Sequence, residues 1–253
     1  MAVRLDIRHV LACLAAEMLG SRRSLSALVL LEAYGERHRR EGVVRVALDS
    51  LPPVPARRHG VEVLVGCGLF RAAGPDAGPD EDRDGHERAD GRWIEIREEF
   101  LPDLGDVRSR ASRYLKAALV FHECSPAPPD DLARALLKGA VLFNQRLFFE
   151  VHEVLEAQWK RETSDSKAAL QGLIQAAVAF HHLENQNYRG AVSLLDQALR
   201  RLRPCHAGML GLNLGDFAAG LARCRETLGG AASLPGGGFS WGKVPRLLWS
   251  GAG

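Results

Sequence analysis

The segment Leu142–Lys160, LFNQRLFFEVHEVLEAQWK, places an imidazole and two carboxylates within reach of one point. At about 100° per residue, His152 and Glu156 stand one helical turn apart, and Glu153 and Glu156 are also neighbours. Phe149 shares that face and Glu150 lies at its margin, whereas Phe148, Val151, Val154, Leu155 and Trp159 form a broad apolar arc on the other side. Three chemistries use such a set. A divalent metal accepts His152, Glu153 and Glu156 as mixed nitrogen and oxygen ligands. A general acid/base pair needs one carboxyl raised by burial beside an ionised neighbour. A structural network bonds His152 to Glu156 and the remaining carboxylate to a cation or backbone group. The zinc-protease pattern His-Glu-x-x-His fails here, because Glu156 stands where its second histidine belongs. The chain also lacks the paired Glu-x-x-His helices of a di-iron bundle.

An opposite wall for this cluster is expected in LQGLIQAAVAFHHLENQN. Gln171, Gln175 and His182 fall on one stripe, since seven residues is nearly two turns, and Gly172, Ala176 and Ala179 are small enough for close helix packing. His182 is therefore a candidate fourth metal ligand facing His152. His181 points about 100° away and is given no role.

These two motifs resemble the bacterial and archaeal domain-of-unknown-function family 309, which carries a Phe-Phe-Glu-x-His-Glu-x-x-Glu-x-x-Trp helix followed by a Gly-Leu-Ile-Gln helix. The resemblance covers about residues 130–204 and implies an all-α fold with one helix surrounded by others. It carries over onto Asn144, Phe149, Glu150, His152, Glu153, Glu156, Trp159, Gln171, Gly172, Gln175, His182 and Gly190. Among these, Glu150, Gln175 and Trp159 are candidate ligand-binding positions. Arg146 stands where the family commonly has Gly, which bears on how closely another segment approaches there. The family's activity is not established, so the resemblance supplies a fold and a motif but no reaction; a metal-dependent hydrolase is the first enzymatic expectation. A central His152 helix would bury its carboxylates, and an unpaired buried charge costs several kcal/mol. Arg146, Arg189 and Lys160 are the cations nearest in sequence. Tyr188, Ala191, Ala198, Leu199 and Pro204 also resemble the second half of a tetratricopeptide unit, a helical-hairpin surface for a protein partner or a second copy.

Helical periodicity positions these motifs. From Asp106 onward the pattern is wholly helical, with helices expected at about 106–123, 130–145, 147–162, 166–184, 187–203 and 215–228. The Gly-rich tail, 229–253, cannot fold alone, although Phe239, Trp241, Leu247, Leu248 and Trp249 can dock on the bundle. Before residue 105 the order is helix (5–19), helix (24–39), two shorter helices (44–51 and 56–66), then β-like runs at 69–72 and 92–97 around an acidic loop, 75–91. That order resembles a winged helix, with 56–66 as the would-be recognition helix presenting Arg57, Arg58 and His59. The expected architecture is thus mainly α: a winged-helix-like α+β region (1–104), a helical bundle (105–228) and the tail.

Composition narrows the function classes. The 253 residues carry 33 Lys+Arg against 31 Asp+Glu, a net charge of +2, which gives no global signature of nucleic-acid binding. Charge is local: +4 over residues 1–74, −7 over 75–104 and +5 over 105–253. The acidic hairpin would repel phosphates, so nucleic acid is a disfavoured partner. Five widely spaced cysteines without a Cys-x-x-Cys pair fit a reduced, cytoplasmic protein. The amphipathic start is not a secretory leader, and no apolar run reaches the ~20 residues of a membrane span.

Overall fold

The computed structural model describes residues 5–73, 93–124, 128, 130–164, 166–205, 209–231 and 239–250. The chain divides into two compact units, residues 3–122 and 123–253 apart from the first two residues. The fold is mainly α with one small antiparallel sheet. Among the described residues no helix is long and apolar enough to cross a membrane.

The N-terminal unit comprises α1 (Leu5–Gly20), α2 (Leu25–Glu41), β1 (Arg45–Ala47), α3 (Arg57–Gly66), β2 (Phe70–Ala73), β3 (Trp93–Ile96) and α4 (Leu104–Glu123). Helix α1 buries Ile7, Leu11, Leu14 and Met18, one per turn, and α2 ends on Gly42 in the left-handed conformation that L-residues disfavour. The sheet order is β1-β3-β2. Tyr34 of α2 anchors the sheet: its ring is fully buried and meets Phe70 edge-on at 4.8 Å. Its hydroxyl donates to the Val44 carbonyl and accepts from the Ile96 N–H at 3.3 Å. Burial pushes the Tyr34 phenol up to about 12, so it stays a donor at neutral pH.

Two expectations change here. Residues 44–51 are not a helix but β1 followed by a 3-10 turn at Leu48–Ser50. Val46 pairs with Ile94 of β3 and is buried, so a partner strand about 50 residues away outweighs a short helical pattern. The unit boundary falls at 122/123 rather than 104/105. Helix α4 turns Val107, Ala111, Tyr114 and Ala118 inward, pairs Arg108 with Glu36 of α2 at 2.8 Å, and bonds His122 to the Met18 carbonyl of α1 at 2.8 Å. The acidic loop 75–91 lies outside the described residues.

The C-terminal unit contains α5 (Asp131–Asn144), α6 (Phe148–Arg161), α7 (Ser166–Glu184), α8 (Tyr188–Leu202) and α9 (Leu214–Ala231). Successive helices pack on one another. Phe143 is the hub: its ring meets Phe148, Phe180 and Phe217 edge-on at 5.1–5.6 Å, so α5, α6, α7 and α9 share one aromatic core. The α5–α6 and α7–α8 turns are built alike. In each, a backbone N–H reaches five residues back, Leu147 to Leu142 at 3.0 Å and Asn187 to His182 at 2.8 Å, and a residue with positive φ, Arg146 or Gln186, makes the corner. A glycine at position 146 would therefore supply backbone freedom at this corner.

Candidate metal centre

Helix α6 sorts its residues by burial. Phe148, Val151 and Leu155 are buried against the core, which leaves Phe149, His152, Glu153 and Glu156 on a half-exposed face. The structure brings His152, Glu153 and Glu156 together: one donor atom from each lies within 4.8 Å of the others. His152 Nδ1 is 3.0 Å from a Glu153 oxygen, and His152 Nε2 is 3.9 Å from a Glu156 oxygen. An ionised carboxylate only accepts, so Nδ1 is the donor in the contact with Glu153. A cation with bonds of about 2.0–2.2 Å to each would fit between atoms 3.9 Å apart.

Helix α6 is not enclosed on this side, so its charges keep partial access to water. The compensating cation is Lys160, 3.3 Å from Glu156. Arg146 is engaged elsewhere, with its guanidinium bonded to the Trp241 carbonyl at 3.2 Å.

The remaining sequence candidates go to other places. The stripe Gln171, Gln175, His182 exists on α7, but it faces α8. Gln171 accepts from Arg201 at 3.0 Å, and Gln175 donates to Gln197 at 3.1 Å. His182 Nδ1 accepts from the Asn187 amide at 2.7 Å, and the Asn187 oxygen caps α8 through the Gly190 N–H at 2.9 Å. Burial, helped by neighbouring His181, holds His182 below the usual imidazole range. His182 is thus a neutral acceptor in a capping chain and stands outside the His152 group. The stripe was legible; which neighbouring helix it meets was not. Glu150 is 2% exposed, on the buried side of α6. Trp159 lies under the Lys167 ammonium, 4.9 Å from the ring centroid, and Lys167 itself donates to the Glu162 carbonyl at 2.9 Å.

His181, given no role by the sequence, is the α7 histidine nearest the cluster's aromatic neighbour. Its ring is 5.9 Å from Phe149, which in turn lies 6.3 Å from His152. His181 Nδ1 bonds Glu184 at 3.2 Å. A one-residue difference in helical phase decides which of the two histidines faces α6, and tandem histidines carry no local signal for it.

Comparison with known proteins supports the motif assignment. The chain is 32% identical over 98 residues to an uncharacterized protein of Aquifex aeolicus, covering 38% of this chain and 28% of that protein. It is 40% identical over 73 residues to the uncharacterized protein YpuF of Bacillus subtilis, covering 28% of this chain and 42% of that one. The matches thus span less than half the length of these relatives. No solved structure matches. The helices that carry the His152 cluster and its neighbouring wall fall within residues 136–194, and that stretch matches the family model described as a domain of unknown function (DUF309).

Proposed function

We propose that the helical bundle holds a divalent cation on His152, Glu153 and Glu156 and offers the cation's remaining positions to an external ligand. The observation that carries this reading is the convergence of three donor atoms within 4.8 Å on one half-exposed helical face. One imidazole and two carboxylates suit borderline Zn²⁺ or the harder Mn²⁺ better than a thiolate-seeking cation. Two carboxylates cancel the charge of a dication, and when no cation is bound Lys160 offsets part of the charge on Glu156. Water and a substrate oxygen would complete the coordination, which makes metal-assisted hydrolysis the first enzymatic reading. Elemental analysis of protein purified without chelator, with calorimetric titration of Zn²⁺ and Mn²⁺, tests the site. About one equivalent of bound metal is expected. Sub-stoichiometric metal together with unchanged melting on chelation would leave His152 and Glu153 as a surface hydrogen-bonded pair.

A second reading concerns the N-terminal unit, as a winged-helix-like surface for a protein partner. The β1-β3-β2 order beside α3 favours it, whereas the side chains of α3 argue against nucleic acid. Arg57 donates to the Leu51 and Pro52 carbonyls, Arg58 pairs with Glu62 at 3.2 Å, and His59 is bonded to Ser24 at 3.1 Å. Binding to random duplex DNA that weakens with salt on a log–log plot would overturn the protein-partner version.

A further inference from the structure

Residues 239–250, FSWGKVPRLLWS, run across the C-terminal unit with little regular structure of their own, held chiefly through their backbone. Two asparagines hold successive residues. Asn144, at the end of α5, accepts from the Leu247 N–H at 2.9 Å and donates to the Leu247 carbonyl at 2.8 Å. Asn213, just before α9, accepts from the Leu248 N–H at 2.6 Å through its side chain and donates to the Leu248 carbonyl at 3.1 Å through its backbone. With the Ser250 N–H on the Gly211 carbonyl at 2.9 Å, the Asn213 backbone bond makes a single antiparallel bridge between Leu212 and Trp249. Upstream, Arg146 donates to the Trp241 carbonyl, and the Cys224 thiol donates to the Lys243 carbonyl at 3.2 Å. Burial pushes that thiol up to about 11, which keeps it a donor.

These bonds read the path of a chain and ignore its side chains. Specificity comes from three anchors. Trp241 stacks on Phe148 at 6.3 Å under the Arg146 guanidinium. Pro245 lies so close to α9 that a Cβ on Gly220 would be 2.4 Å from it. Leu247 is 1% exposed. Between the anchors, Gly242, Lys243 and Arg246 are exposed. Main-chain hydrogen bonds, with pockets for a few side chains, are how extended peptides are bound.

We propose that this groove is a receptor for extended peptides and that residues 239–250 are its occupant in cis. A partner segment with the spacing Trp-x-x-x-Pro-x-Leu binds there in trans when the tail leaves. The seven residues 232–238 between α9 and the tail, ASLPGGG, are short enough to keep the tail at an effective concentration of order millimolar, so the cis tail outcompetes a trans peptide at ordinary concentrations. The inference is independent of the metal reading, since none of its anchors belongs to the His152 cluster.

The test uses the full chain and a fluorescein-labelled FSWGKVPRLLWS peptide read by anisotropy. Leu247→Asp places a charge in the Leu247 pocket and expels the tail. That variant should bind the peptide saturably, at least about tenfold more tightly than the wild type, where the cis tail competes. Adding Asn144→Ala, or Gly220→Ala, should abolish the binding. No saturable binding by a Leu247→Asp chain with the wild-type helical circular dichroism would overturn the proposal. Should Leu247→Asp fail to fold, a specific protease site placed within 232–238 of the otherwise unchanged chain replaces it. After cleavage the tail fragment should exchange with labelled peptide on dilution, and a fragment retained until the bundle unfolds would make the tail an integral part of the core.

Discussion

Replacing Glu153 by Gln separates a metal site from a surface pair, because the two readings give opposite patterns of stability. Without metal, the substitution disturbs a His152–Glu153 interaction whose side chains are 31% and 37% exposed. Exposed pairs of this kind are worth about 0–1 kcal/mol, so metal-free melting should barely move. With metal at a hundred times its Kd, the wild type should gain about 2.7 kcal/mol. At roughly 2–4 °C per kcal/mol for a domain of this size, that is about 5–11 °C. Glu153→Gln removes one of two carboxylate charges from the cation. A hundredfold loss of affinity would put the same metal concentration at its Kd and leave a gain of only about 0.4 kcal/mol. Differential scanning calorimetry of both proteins, with Zn²⁺ and with chelator, is the assay. A wild type indifferent to metal, or a variant whose metal-dependent gain equals the wild type's, would refute the reasoning.

Other substitutions probe the scaffold. Gly172→Ala adds a methyl 2.8 Å from Cγ of buried Leu202; overpacking of about 1–3 kcal/mol should exceed the ~1 kcal/mol gain in helix propensity, and chemical denaturation should show a net loss. Gln186→Gly relaxes a positive φ of 59° at an exposed turn, and should stabilise the protein by about 0.5–1 kcal/mol in the same measurement. Asp196 is held below the usual carboxylate range chiefly by its hydrogen bond from Arg225, at 2.9 and 3.1 Å. A depressed carboxyl contributes stability above its unfolded pKa and loses it as pH falls through the folded value. The wild type should therefore be only slightly more stable than Arg225→Gln at pH 7, since the pair is well exposed. That difference should begin to shrink as pH drops through about 4, the unfolded carboxyl's range, and vanish only below the depressed folded value in denaturation curves.

Legibility differed between levels of structure. Helix ends in the bundle matched the periodic pattern closely, because each helix there has an apolar stripe and turn-forming residues follow most of them: Thr163–Asp165 after α6, Asn185–Asn187 after α7, Pro204 after α8 and a Gly-rich stretch after α9. Strand β1 was illegible, because three residues carry too little periodicity and their partner is β3, about 50 positions away. The docking of Phe239, Trp241 and Leu247 could be anticipated from their apolar character, but Leu248, expected to dock with them, stays exposed. The roles of Asn144 and Asn213 could not, since an asparagine near a helix end reads equally well as a cap.

The sequence by itself determined that His152, Glu153 and Glu156 share one face of one helix. That follows from 3.6 residues per turn, and the fold only decides how much water reaches them. It also determined the stripe Gln171, Gln175, His182 on α7. Tertiary structure alone decided that this stripe meets α8, that His181 rather than His182 lies beside Phe149, and that the tail is clamped by two asparagines. Periodicity fixes angles within a helix, but the rotation of one helix against the next comes from packing. Here that packing rests on the Phe143 hub and the close approach of Gly172 to Leu202.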